Sequence, residues 1–158
     1  MKKSDPIREQ LVRVLSWGDA HVDFDRAIRG VPAKLRGVRR KNLPYSLWQL
    51  LEHLRLAQRD ILDFCRDPDY RAPKWPDDYW PARPAPPNAR AWRNSVAAYR
   101  KDRRALERLA ADPKVKLASR IPRGSGQTYL REVLLAADHA AYHLGEIIAL
   151  RRLLGAWD

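Results

Sequence analysis

The chain has 158 residues, 45% of them hydrophobic and 32% charged, which suits one ordinary domain spanning 1–158 with enough apolar material for a core. Its single cysteine excludes an intramolecular disulfide framework and a multi-cysteine zinc knuckle. The opening "MKKSDPIREQ" turns polar at once and no run approaches the ~20 apolar residues of a membrane span, so a cytoplasmic protein without a membrane role is expected.

The first element opens at "SDPIREQL", with Asp5 placed to cap a helix and Pro6 at its first position, where a missing N–H costs nothing. Ile7, Leu11, Val14, Gly18, Val22 and Ile28 recur at helical spacing, which predicts one helix over 6–29. His21 and Asp25, four apart, fall within that stripe and face inward. They form either a hydrogen-bonded pair holding helices in register or a polar contribution to a site, His21 then being a substrate contact or proton carrier.

The net charge of +12 concentrates only in "KLRGVRRKN" at 34–42, in a loop. No zinc finger, basic region leading into heptads or aromatic RNP-like strand accompanies it, so a solvated basic surface is expected rather than a nucleic-acid interface.

"PYSLWQLLEHL" carries the clearest start signal in the chain. Ser46 and Gln49 make an S-x-x-Q capping box, and Tyr45 with Leu50 suits a hydrophobic staple, predicting a helix over 46–65. Leu47, Leu50, Leu54, Ala57, Ile61 and Cys65 define its buried face, with Cys65 a small hydrophobe rather than a nucleophile. His53 borders that face, with Asp60 on the same flank.

The segment "RDPDYRAPKWPDDYWPARPAPPN" is too rich in proline for regular structure, yet Tyr70, Trp75, Tyr79 and Trp80 set it apart from a disordered linker. An ordered crossover pinned by its rings over one end of the bundle is expected. A third helix follows over 89–110, stopped by "DPKV", and a Gly-rich turn "RGSGQ" leads into a last helix over 127–154, with Gly155 as its C′ residue.

In that last helix Leu130, Val133, Ala137, Leu144 and Ile148 form one apolar stripe, and His139 and His143 sit on its flank beside Glu132, Ala136, Ile147 and Leu150. Histidines at i and i+4 are offset by about 40° around the axis and ~6 Å along it, so their ring nitrogens can converge on one ion. With His53 also bordering the core, three imidazoles and no thiolate suit a catalytic-type site that keeps a coordination position open. Zinc, nickel, iron or manganese would accept such ligands. Each ligating ring needs an acceptor for its other N–H, and Asp60, Glu132 and Asp25 are the candidates.

"SLWQLLEHLRLAQRDILDFCRDP" followed by "GQTYLREVLLAADHAAYHLGEIIALRRLLG" closely resembles the DinB-like (YfiT-like) family of bacterial metalloenzymes, over nearly the whole chain. The resemblance implies an all-α, four-helix bundle with long crossover loops. It implies a metal site from one histidine of the second helix and an H-x-x-x-H pair on the last, positions filled here by His53, His139 and His143. The family includes S-transferases that use a divalent metal to activate a low-molecular-weight thiol. A metal-dependent transferase or hydrolase acting on a small molecule is therefore expected, with a homodimer plausible. The alternative is a structural or sensing bundle that holds a metal without turnover.

Overall fold

The computed structural model of the chain describes residues 5–16 and 18–157. Among these residues there are five α-helices: α1 Pro6–Val14, α2 Phe24–Ile28, α3 Leu47–Arg66, α4 Ala89–Ala111 and α5 Tyr129–Leu153. Among the described residues extended pairing is limited to one isolated bridge, Arg120 with Thr128. The all-helical fold class expected from the sequence is what folds.

The second, third and last predicted helices appear within two residues of their expected ends. The Ser46–Gln49 capping box is formed in both directions, Asn88 caps α4, Thr128 caps α5, and Gly155 follows α5 at φ 65°. Tyr45 packs against the apolar cluster that contains Leu50 and also lays its ring on Trp80.

The first predicted helix breaks in two. Asp5 caps α1 as expected, but α1 stops at Val14 and regular helix resumes only at Phe24, where the Asp23 side chain accepts from the Arg26 N–H. Residues 15–23 hold Ser16, Gly18, Asp19 and Asp23, which favour turns and caps over helix interiors. The apolar spacing carried on through the break because each piece feeds an apolar cluster, Leu11 and Leu15 one, Phe24, Ala27 and Ile28 another. As a result His21 lies outside any helix, exposed, with its Nδ1 2.9 Å from the Val22 carbonyl.

Two apolar clusters fix how the helices lie. In one, Leu47, Leu51 and Leu54 of α3 meet Trp92 and Tyr99 of α4 and Ile147 and Leu150 of α5. In the other, Ile61 and Leu62 of α3 meet Leu106 and Ala110 of α4, Val133 and Ala136 of α5 and Leu11 of α1. Thus α3 runs parallel to α4 and antiparallel to α5. Parallel neighbours require the connecting chain to return along the whole of α3, about 30 Å for its 20 residues.

Residues 67–88 make that return, and they do so in register with α3. Tyr70 and Tyr79 donate to Asp60, the Tyr79 carbonyl meets His53, the Pro81 carbonyl accepts from Gln49, and the Pro84 carbonyl accepts from the Ser46 hydroxyl. Gly37 receives the end of this strap so closely that a Cβ there would lie 2.8 Å from the Ala85 Cα. The crossover is ordered, as the sequence suggests, but it runs along the side of the bundle rather than capping an end.

Parts of the basic 34–42 run are structural. The Arg36 guanidinium lies 4.6 Å from the Trp92 ring centroid, and Arg39 donates to Gln49. Cys65 is buried, and burial followed by the nearby Glu132 pushes its thiol up to about 12, so it packs as a hydrophobe. By length and composition alone α5 could cross a membrane, a test that a core helix also passes; here it packs against α3, α4, α1 and α2.

Candidate metal centre

His53 sits near the middle of α3, and His139 and His143 lie one turn apart on α5, facing it. The His139 and His53 Nε2 atoms are 3.0 Å apart, and the three ring centroids are separated by 4.5, 4.6 and 4.9 Å. One nitrogen from each ring lies within 4.8 Å of the others, so the cluster could hold a metal ion. The flank of α5 that carries these histidines proves to be its core side. Ala136, Ala140, His143, Ile147 and Leu150 are buried, whereas Ala137 and Ile148 of the expected stripe are only partly so.

The proton positions follow from the neighbours. A carbonyl can only accept, so the Tyr79 oxygen 3.0 Å from His53 Nδ1 places the imidazole proton there and leaves Nε2 as a lone pair facing the cluster. Glu146 Oε2, 2.6 Å from His143 Nδ1, does the same for the second ring. Burial, with His143 adding to it, pulls His53 down to about 4 and His139 to about 3. Both rings are therefore neutral at pH 7, the form that binds a cation. Three imidazoles turned to one point, two of them with an outward Nδ1 held by an acceptor, fit a divalent metal.

The strap also braces His53 sterically. Trp80 stacks on His53 at 3.8 Å and 6°, and on Tyr45 at 3.8 Å and 11°. Two rings so close and so nearly parallel to a third must occupy its opposite faces, so Trp80 is sandwiched between them. A cleft of about 470 Å³ opens beside the cluster, lined by the three histidines, Asp60, Trp75 and Tyr142 among others.

The other residues singled out in the sequence fall elsewhere. Asp25 pairs with Arg100 at 2.6 Å and Arg103 at 3.5 Å, and Glu132 pairs with Arg131 at 2.6 Å, so neither supports a histidine. His21 lines a separate cavity with Phe24 and Ala141 rather than the histidine cleft. It lost its place when the first helix broke. Asp60 reaches the cluster only indirectly, holding the Tyr79 and Tyr70 hydroxyls at 2.6 Å each.

The acceptors that do meet the rings are Glu146 and the Tyr79 carbonyl. Glu146 was legible in principle, since "HLGE" sets a carboxylate three residues after His143 on the same face. The carbonyl was not, because nothing in the side-chain sequence fixes the path of the strap.

An all-helical bundle that gathers three core histidines from two antiparallel helices defines a class of candidate metal-holding bundles. Within that class the chain belongs to the DinB superfamily, whose family model matches residues 18–147 and so includes all three histidines. The family is associated with metals. No curated protein and no solved structure gives a significant match.

Proposed function

We propose that the protein is a divalent-metal-dependent enzyme that activates a small nucleophile, of the thiol S-transferase or hydrolase kind, in the cleft beside His53, His139 and His143. The observation that carries this reading is the convergence of three imidazole nitrogens with the outward N–H of two of them already committed. A divalent ion held there supplies Lewis acidity and lowers the pKa of a water or thiol presented to it.

The chain's own part is positioning. Glu146 and the Tyr79 carbonyl hold protons on the outward nitrogens, Trp80 keeps the His53 plane fixed, and Ala57, Ile61 and Leu135 give the cleft apolar walls that limit water. Tyr79 and Tyr70 have their hydroxyl pKa values raised, by burial first and then by Asp60, so both remain hydrogen-bond donors at neutral pH.

A second reading, a bundle that holds a metal without turnover, is favoured by one feature. Among the described residues Asp60 is the only carboxylate lining the cleft, and its two oxygens are engaged by tyrosines. Metal analysis of the purified protein, followed by assays with small thiols and a reactive electrophile, separates the two. The enzyme reading expects one divalent ion per chain and a turnover that disappears with chelation and returns with metal. Stoichiometric metal with no turnover across a broad thiol and ester panel would favour the second reading.

A further inference from the structure

Trp75 and Tyr142 are 67% and 66% exposed, although most of the large aromatic surface in this chain is at least half-buried, and both line the histidine cleft. Each stands beside a different histidine. Trp75 is edge-on to His53 with centroids 6.3 Å apart, and Tyr142 is edge-on to His143 at 4.9 Å. Ala57, Ile61 and Leu135 supply apolar wall between the polar groups. Exposed rings at the mouth of an apolar cleft offer faces on which another flat group can stack.

The charge pattern is equally specific. The chain has 31 lysines and arginines, yet among the described residues none lines this cleft. The carboxylates near the histidines are Asp60 on the wall and Glu146 against His143. A carboxylate, sulfonate or phosphate on the outer part of a ligand would thus be desolvated with no cationic side chain to receive it.

We propose that the cleft takes a ligand whose outer part is a flat aromatic group without negative charge stacked on Trp75 and Tyr142, and that it discriminates against anionic groups at that place. This rests on reading the cleft as the substrate site of the three-histidine centre. The reacting end of the ligand lies toward the histidines, and the ring sets which substrate is accepted.

Three probes of similar size separate the contributions: benzyl alcohol, phenylmethanesulfonate with the same ring and a negative charge, and cyclohexylmethanol with the same hydroxyl and no aromatic face. Binding to the full chain is followed by NMR of the probe's own signals, a readout that works equally in the wild type and in every variant, first on metal-free and then on zinc-loaded protein. On the metal-free protein benzyl alcohol should bind about fivefold or more tightly than either of the others. Trp75→Ala and Tyr142→Ala should each remove most of that preference, and Trp75→Phe should retain it; both rings are exposed, so the fold should tolerate these changes. Equal or tighter binding of the sulfonate or of cyclohexylmethanol, or a preference unchanged in Trp75→Ala and Tyr142→Ala, would overturn the proposal. The metal reading is judged separately. A ring preference in a protein that binds no zinc would leave this inference standing and remove the metal centre, whereas stoichiometric zinc without the preference would do the reverse.

Discussion

The main-chain oxygen of Tyr79 lies 3.0 Å from Nδ1 of His53, twenty-six residues earlier in the chain. The same residue's hydroxyl is held 2.6 Å from Asp60, two turns further along α3. One strap residue therefore links a candidate ligand to an anchor on the ligand's own helix, and the tautomer of His53 depends on the strap staying docked.

Asp60→Ala should loosen that link without touching a histidine. Two buried-side phenols lose their acceptor, the Tyr79 carbonyl gains freedom, and zinc affinity should fall by about tenfold, within the range typical of groups that orient ligands. Chelator competition measures the affinity, and circular dichroism should show helix content unchanged. Wild-type affinity in this variant would separate the strap from the metal site.

Glu146→Gln keeps the size of the side chain but removes the charge that holds the His143 Nδ1 proton. Zinc affinity should drop about 10- to 100-fold. The same competition titration reads it, and an unchanged constant would show that Glu146 plays no part in tuning His143.

The metal-free protein should lose stability on mild acidification. His53 and His139 have folded-state pKa values of about 4 and about 3, below the ordinary 6.5, because burial disfavours the charged rings. The unfolded chain thus binds more protons between these values. The stabilisation is complete above pH 6.5 and is lost as pH falls from 6.5 toward 4 and then 3. Urea midpoints of the chelator-treated protein should decline over that window, and a His53→Gln/His139→Gln variant should show a flatter profile. Identical slopes for the two proteins would contradict the assignment.

Ser46 both caps α3 and donates to the Pro84 carbonyl at the end of the strap. Ser46→Ala should cost about 1 kcal/mol, mostly for the lost cap, since the Pro84 carbonyl belongs to an exposed residue that water can reach. Urea denaturation gives the value, and a loss below a few tenths would show that neither bond contributes.

Where sequence and structure agree, the deciding signals were local. The Asp5 cap, the capping box at Ser46 and Gly155 each need only a few adjacent residues, and the i, i+4 offset of His139 and His143 is a property of any helix. The misreading of 6–29 as one helix had the opposite cause. Apolar spacing persists across the break because α1 and α2 each contribute to an apolar cluster, while Gly18, Asp19 and Asp23 quietly change the backbone between them. His21 and Asp25 were placed by that false continuity. The support for His53 was illegible because it comes from a main-chain carbonyl and a stacked Trp80, both delivered by a proline-rich segment whose route is set by the parallel arrangement of α3 and α4.

X-ray absorption at the zinc edge, on protein loaded with one equivalent of zinc, tests the central claim most directly. The account predicts three imidazole nitrogens at about 2.0–2.1 Å with at least one further light-atom ligand from solvent. It also predicts that His53→Ala, His139→Ala and His143→Ala each lose one imidazole from that shell. A zinc environment unchanged by these substitutions, or one without imidazole scattering, would contradict it.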